Sequence, residues 1–221
     1  MKTRRMLLAV AALALLVGGC GPETAKPVAQ SVTAQPTKSA VAVHSAGQVP
    51  VGPGPQGTYT VQAQPAAGSC HVRTTADGQP LPDPACTPGA TNPAVTQANI
   101  GTTICHSGYT ASIRPPAGIT DREKDANAKS YGYTGALHDA EYDHLISLEL
   151  GGDPDDPRNL WVEPPSPGHQ PGGGPNNPKD AVENQLHELV CKNTVPLAEA
   201  QSAIAGDWTT ALAVVGHPGG K

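Results

Sequence analysis

The chain has 221 residues and a formal net charge of −5 at pH 7, with 25 glycines, 24 prolines and no phenylalanine. This acidic balance argues against a protein that binds nucleic acid through a basic surface alone. The five cysteines include no CxxC pair, which excludes a zinc ribbon and a thioredoxin-type motif. A metal site in this chain would therefore have to use oxygen and nitrogen ligands.

The N-terminus has the pattern of an export signal. Basic residues precede an apolar run over residues 6–17, and Gly18-Gly19-Cys20 follows this run. The run is too short for an ordinary membrane span, and its ending resembles a bacterial lipobox. We therefore expect residues 1–19 to be a lipoprotein signal peptide and Cys20 to carry the lipid, which would hold the chain on the outer face of the bacterial cell membrane. An ordinary signal peptide with a coincidental cysteine is the alternative.

Composition divides the remainder of the chain. Residues 20–68 are rich in Ala, Pro, Gly, Gln, Val, Ser and Thr and carry few charges. Such a segment cannot bury enough apolar surface to offset its conformational entropy, so it is expected to be a disordered tether. Residues 69–99 are expected to form a disulfide-containing extension, and residues 100–216 a folded domain.

Four cysteines remain once Cys20 is set aside, and an even number in an exported chain is typical of disulfides. Three pairings are open. The favoured one joins Cys70 to Cys86 in a short loop and Cys105 to Cys191, which would tie the start of the domain to its main helix.

Hydrophobic periodicity and capping signals predict the elements of the domain in chain order. Thr120 and Glu123 fit a capping box that opens the first helix. Asn177 and Pro178 fit the cap and first turn of a later helix, and a Pro/Gly-rich loop over 164–178 precedes it. The expected elements are a helix over 121–131, a strand over 142–150, a second strand over 160–162, a helix over 178–192 and a last helical stretch from Thr194 to about Gly216.

The block EYDHLISLELGGDPDDPRNLWVE, residues 141–163, carries the main functional signal. It places Asp143 beside His144, and a Gly-Gly turn and Asn159 follow. One Asp to hold a divalent cation and one His to take a proton from water are the minimum for metal-assisted hydrolysis of a phosphodiester. On the later helix, Glu183 and His187 are four residues apart, the spacing at which two side chains can bind one cation. A solvated polar helix face is the alternative interpretation of that pair.

Together with its flanks, this block resembles a group of exported, HNH-like bacterial nucleases. The segments that carry the resemblance are TICHSGYTASIRPP, YDHLISLELGG, NLWVEP, KDAVENQLHELVC and LAEAQSAIAGDW. It implies an α+β fold in which a hairpin and a helix form a small ββα-metal core, with flanking helices and disulfides. The implied roles are general base for His144, metal ligand for Asp143, ordering of the hairpin loop for Asn159, terminal metal ligand for His187, and second ligand for Glu183 or Asn184. The implied cofactor is a divalent ion, Mg²⁺, Mn²⁺ or Zn²⁺.

The resemblance also implies a nucleic acid substrate, DNA rather than RNA, with Arg114 and Arg158 as candidate phosphate contacts. Single basic residues of this kind also serve as surface salt-bridge partners. Between residues 100 and 215, seven Lys and Arg stand against sixteen Asp and Glu, a net charge of −9 that predicts weak, salt-sensitive binding. The alternatives are a non-catalytic envelope module built on an HNH-like scaffold, with a structural Ca²⁺ or Zn²⁺, and another metal-dependent hydrolase. The sequence identifies no protein partner.

Cys20 gives the first prediction. If its sulfur carries the lipid, Cys20→Ala will move the protein from the membrane fraction into the medium and leave its folding intact, because acyl chains supply the membrane affinity. Fractionation and immunoblotting measure the distribution. A variant that stays in the membrane fraction would contradict the lipoprotein interpretation.

Overall fold

The computed structural model describes residues 49–217. This part of the chain contains two short antiparallel strand pairs and five α-helices. The strands are β1 (Arg73–Thr74), β2 (Pro80–Leu81), β3 (Glu141–His144) and β4 (Leu160–Glu163), with β1 paired to β2 and β3 to β4. The helices are α1 (Tyr109–Ile113), α2 (Ala117–Ser130), α3 (Lys179–Cys191), α4 (Leu197–Gly206) and α5 (Ala211–Val214). This mixture of helices and small sheets confirms the predicted α+β class.

The β3–β4 pair and the loop between its strands position the block that the sequence singles out. Asp143 lies opposite Trp161, and His144 lies opposite Leu160. The strand predicted over 142–150 ends earlier, at His144, because the chain then turns into a 3₁₀ segment at Leu148–Leu150. Gly152 is required in this turn, since a Cβ atom there would lie 1.8 Å from a backbone oxygen. The second predicted strand is confirmed as part of β4.

The helices match the sequence pattern to different degrees. The capping box predicted at Thr120 is wrong: α2 begins at Ala117, and the Thr120 hydroxyl donates to the Ala117 carbonyl inside the helix. Helix α3 begins at Lys179, one residue after the predicted start, and the Asn177 side-chain oxygen accepts a hydrogen bond from the Lys179 amide at 3.0 Å, as expected for a capping side chain. The last helical stretch is divided at Asp207 into α4 and α5.

Two apolar clusters form the core. The larger one joins the 3₁₀ segment, α3, α4 and α5; its fully buried members include Ile146, Leu150, Leu186, Val190, Ala200, Ile204 and Ala211. The smaller one surrounds Trp161 and includes Cys70, Ala128, Tyr131, Ala140 and Val162. Trp161 lies in the smaller cluster and Trp208 in the larger one, so both tryptophans are part of the core. The two clusters fix α2 and α3 relative to the β3–β4 pair.

Residues 49–68 lie along the domain, contrary to the sequence prediction. The amide of Gly54 donates to Asp153, and the amide of Gln62 donates to Glu123, both at 2.6 Å. The Ser130 hydroxyl donates to the Pro65 carbonyl at 2.6 Å. The disordered tether expected over 20–68 therefore does not include 49–68, because buried carboxylates and hydroxyls of the domain bind the backbone of this segment. The rest of that tether, the signal peptide and Cys20 lie outside the described residues.

Both predicted disulfides are confirmed. Cys70 is bonded to Cys86 and Cys105 to Cys191, with Cα–Cα distances of 6.0 and 5.7 Å. Two disulfides in a chain of this size are typical of an oxidising, extracytoplasmic compartment. Among residues 49–217, no helix is both long and apolar enough to cross a bilayer.

The disulfides differ in the length of chain that they close, which gives the second prediction. The sequence separations are 16 residues for Cys70–Cys86 and 86 residues for Cys105–Cys191. In the chain-entropy model, removal of the longer bridge lowers the free energy of unfolding by about 1.5 kcal/mol more than removal of the shorter one.

Urea unfolding of the two Cys→Ala double variants, Cys70→Ala with Cys86→Ala and Cys105→Ala with Cys191→Ala, measures this difference. Equal stability losses, or a larger loss for the shorter bridge, would show that the bridges do not act by loop closure.

Candidate active site

Asn159 orders the loop between β3 and β4. Its side-chain oxygen accepts hydrogen bonds from the amides of Ile146 at 3.0 Å and Ala90 at 3.3 Å. Its side-chain amide donates to the carbonyls of Ile146 at 3.0 Å and Asp153 at 2.9 Å. All four hydrogen-bonding positions of this buried amide are therefore used, and they fix both ends of the loop.

His144, the last residue of β3, is held by that loop. Its Nε2 atom lies 3.0 Å from the carbonyl oxygen of Pro154. Because a carbonyl only accepts, Nε2 carries the proton and Nδ1 keeps a free lone pair. Burial lowers the pKa of His144 to about 4, and the charges of Arg114 and Lys179 act in the same direction. The imidazole is therefore neutral at pH 7 and able to accept a proton.

Asp143 and Glu183, two of the predicted metal ligands, are brought together by the side chain of Lys179. The Lys179 ammonium donates to the Asp143 carboxylate at 2.6 Å, to the carboxylate of Glu183, and to the His144 carbonyl at 2.9 Å. Burial alone would lower the pKa of Lys179, but the carboxylates around it more than reverse this effect, so the pKa is raised. Lys179 therefore keeps its positive charge.

A third carboxyl group, that of Glu163 at the end of β4, belongs to the same buried cluster. Burial raises the pKa of Glu163 well above its ordinary value, and the nearby charge of Asp143 adds to this effect. No N–H or O–H group among residues 49–217 donates to its carboxyl oxygens, and its neutral form can donate to the carboxylate of Asp143. Burial and the charge of Asp143 therefore both favour the neutral form of Glu163, which limits the number of negative charges that the single ammonium must balance.

A cleft of about 240 Å³ opens beside this cluster. Its lining is polar and contains both charge signs, from Thr110, Arg114, Ser147, Leu148, Glu149, Asp180, Glu183 and Asn184. Arg114 is exposed, and its charge is one of those that lower the pKa of His144. Arg158 does not line the cleft: its guanidinium binds the carboxylate of Asp156 at 2.5–3.2 Å and the carbonyl of Val51.

His187 and Asn184, the remaining predicted ligands, have other partners. His187 places Nε2 at 2.9 Å from the carbonyl of Ile104, and its Nδ1 lies 4.0 Å from the carboxylate of Glu149. Asn184 lines the cleft, and its side-chain amide donates to the backbone carbonyl one turn earlier in α3. The four predicted ligands therefore do not converge on one point.

One group among residues 49–217 has the spacing to hold a metal ion. The ligand atoms of Cys105, His187 and Cys191 lie within 4.8 Å of one another. The two sulfurs are bonded to each other in a disulfide, however, and a metal binds cysteine as the thiolate. This group could therefore take an ion only after reduction, which an oxidising compartment disfavours.

The predicted ligands Asp143 and Glu183 do not fit a divalent ion in the arrangement that the structure shows. An ion between the two carboxylates would lie close to the Lys179 ammonium. At a separation of about 4 Å and an effective dielectric constant of about 20, the repulsion is about 8 kcal/mol. Lys179 is fully buried between these carboxylates.

Comparison with known proteins identifies no relative. No protein-family model, no curated protein and no solved structure matches this chain. The resemblance to HNH-like nucleases therefore stays a prediction.

Lys179 is the main site residue that the sequence reasoning missed. A signal for it existed, because Lys179 and Glu183 have the same four-residue spacing as Glu183 and His187. The sequence does not show which of these pairs faces β3. That depends on the rotation of α3, which its buried face at Leu186 and Val190 determines.

Asn159 gives the third prediction. Asn159→Ala leaves up to four buried backbone groups without a partner, so we expect the free energy of unfolding to fall by about 2–4 kcal/mol. The matched control is Asn184→Ala, which removes one exposed hydrogen bond and should change stability by no more than about 0.5 kcal/mol. Urea unfolding measures both variants. A loss below about 1 kcal/mol for Asn159→Ala would contradict its role in ordering the loop.

Proposed function

We propose that this chain is a nuclease that hydrolyses phosphodiester bonds, with His144 as the general base. The observation that carries the proposal is the state of that imidazole. It is neutral, its Nδ1 keeps a free lone pair, and its Nε2–H is fixed on the carbonyl of Pro154, which lies in the loop that Asn159 holds in place. A base of this kind, oriented by a second hydrogen bond, is what proton abstraction from water requires.

In the proposed reaction, His144 takes a proton from a water molecule through Nδ1 as the water oxygen attacks phosphorus. The bond from phosphorus to the leaving oxygen breaks, and that oxygen takes a proton from solvent. The negative charge of Asp143 favours the imidazolium that forms, since it acts to raise the pKa of His144. Arg114 lines the cleft from an exposed position, where its guanidinium can bind the phosphate oxygens. The proposed hydrolysis uses no divalent ion.

The distribution of charge weakens the objection that the domain is too acidic for nucleic acid. Eight of the sixteen Asp and Glu side chains between residues 100 and 215 are buried: Glu123, Asp139, Asp143, Asp153, Asp155, Asp156, Glu163 and Glu183. One of the seven Lys and Arg side chains, Lys179, is also buried. Eight acidic and six basic residues then remain outside the core. The side chains that can contact a polyanion directly are therefore nearly balanced in sign.

A non-catalytic envelope module built on the same scaffold is the second candidate. The observation in its favour is that His144 is only 7% exposed and that the ammonium of Lys179 lies between two predicted metal ligands. In either case, the predicted lipid anchor would place the domain at the outer face of the cell membrane, and the disulfides are consistent with that location.

His144 gives the fourth prediction. His144→Ala should reduce the cleavage rate by about 100-fold or more, because a positioned base contributes about 100- to 10,000-fold. The matched control is His106→Ala, which removes an exposed histidine and should leave the rate unchanged. Plasmid, single-stranded DNA and RNA are incubated with the purified chain, in EDTA and with added Mg²⁺, Mn²⁺ or Zn²⁺, and circular dichroism verifies that both variants fold.

Two results would contradict the proposal. Wild-type protein that leaves all three substrates intact under every condition would exclude the nuclease function and favour the envelope module. Full activity in a folded His144→Ala variant would exclude His144 as the base.

A further inference from the structure

The hydrogen bonds of Lys179 are complete within the protein. Its ammonium has three N–H groups, and three oxygens accept from it: one from Asp143, one from Glu183 and the backbone oxygen of His144. The side chain is fully buried. The ammonium is therefore a cation held by oxygens from β3 and α3, much as a protein holds a metal ion.

The location of this ammonium is informative because two of its partners are the carboxylates expected to bind the divalent cation. The distances to Asp143 and to the His144 carbonyl are 2.6 and 2.9 Å. Both distances are longer than the distance of about 2.0–2.1 Å at which Mg²⁺ binds oxygens, and the longer one is an ordinary N–H···O distance. The space between the two carboxylates therefore has the size that an ammonium requires.

We propose that the Lys179 ammonium permanently takes the place of a divalent cation between Asp143 and Glu183, and that this position is closed to Mg²⁺, Mn²⁺ and Zn²⁺. The inference deepens the proposed function and rests on it. With His144 as the general base, hydrolysis would proceed with no ion bound to these two carboxylates. Lys179 is a positioning residue, because its buried ammonium cannot touch a substrate. It holds Asp143 and the end of β3 at His144.

A further consequence is that the side chain of Lys179 alone keeps divalent ions out of this site. Glu163 is buried beside Asp143 and Lys179, and no N–H or O–H group among the described residues donates to its oxygens. Removal of the ammonium would leave Asp143, Glu163 and Glu183 around an unfilled space. Several carboxylate oxygens that face one space form the type of site that Mn²⁺ and Mg²⁺ prefer. Lys179→Met should therefore create a metal site that the wild-type protein lacks.

Mn²⁺ binding to the full chain tests this inference, measured by isothermal titration calorimetry and by electron paramagnetic resonance of free Mn²⁺. The variants are Lys179→Met, the double variant Lys179→Met with Asp143→Asn, and the matched control Lys192→Met. Lys192 is an exposed lysine that follows α3 and pairs with Glu188. We expect that wild type and the control show no Mn²⁺ binding of the kind that requires Asp143. Lys179→Met should bind one ion per chain, and loss of Asp143 should weaken that binding by about 10- to 100-fold or more.

Two results with folded protein would overturn the inference, and a third applies if the lysine variant unfolds. One is that the wild-type chain binds one Mn²⁺ ion and the Asp143→Asn variant does not. This comparison needs no lysine variant. The other is a folded Lys179→Met variant that binds no ion. If Lys179→Met unfolds in EDTA, recovery of the folded state with Mn²⁺ supports the inference, and lack of recovery overturns it.

These measurements contain no nucleic acid, so they stand whether or not the chain cleaves any substrate. A chain that cleaves nothing would refute the proposed function and leave the binding result intact. A chain whose cleavage is abolished by EDTA and restored by Mn²⁺, with wild-type binding at Asp143, would refute this inference alone.

Discussion

The arrangement of the site depends on the ion pairs that the Lys179 ammonium forms with Asp143 and Glu183. Burial of a charge is unfavourable unless the charge is paired and fully hydrogen-bonded, and Lys179 meets both conditions with groups from β3 and α3. Loss of the ammonium would leave buried carboxylates facing one another without a counter-charge. The same ammonium binds the carbonyl of His144, so the position of α3 and the end of β3 are set together.

The loop between β3 and β4 depends on a second set of buried polar contacts. Asn159 binds both ends of the loop, while the carboxylate of Asp153 accepts the amides of Asp155 and Asp156 at 3.0 and 2.9 Å. These contacts place the Pro154 carbonyl where it fixes the His144 imidazole. The carboxylates of this acidic domain thus act largely as internal acceptors for backbone amides.

Local chemistry explains which elements could be predicted from the sequence. The α3 cap at Asn177, the buried stripe of that helix and the second strand follow from hydrogen-bonding and periodicity rules within a few residues. The segment 49–68 could not be predicted, because its composition resembles that of a free linker and its partners, such as Glu123 and Asp153, are distant in sequence. The capping box at Thr120 failed for a related reason: Glu123 binds the amide of Gln62 and not its own helix start.

The candidate site shows the same division. The sequence places Asp143, His144 and Asn159 together because one short hairpin carries them. The helix residues were harder, because a four-residue spacing relates Lys179 to Glu183 as well as Glu183 to His187. Only packing of Leu186 and Val190 into the core selects the pair that faces β3. Which cation the carboxylates hold is therefore a tertiary property, which no local pattern contains.

The most direct test of the proposed base is long-range ¹H–¹⁵N NMR of the His144 imidazole as a function of pH. We expect a single neutral tautomer with the proton on Nε2 from pH 8 down to about pH 5, since burial lowers the pKa of His144 to about 4. A His144 ring that is doubly protonated at pH 6, or that carries its neutral proton on Nδ1, would contradict the assignment of His144 as the general base.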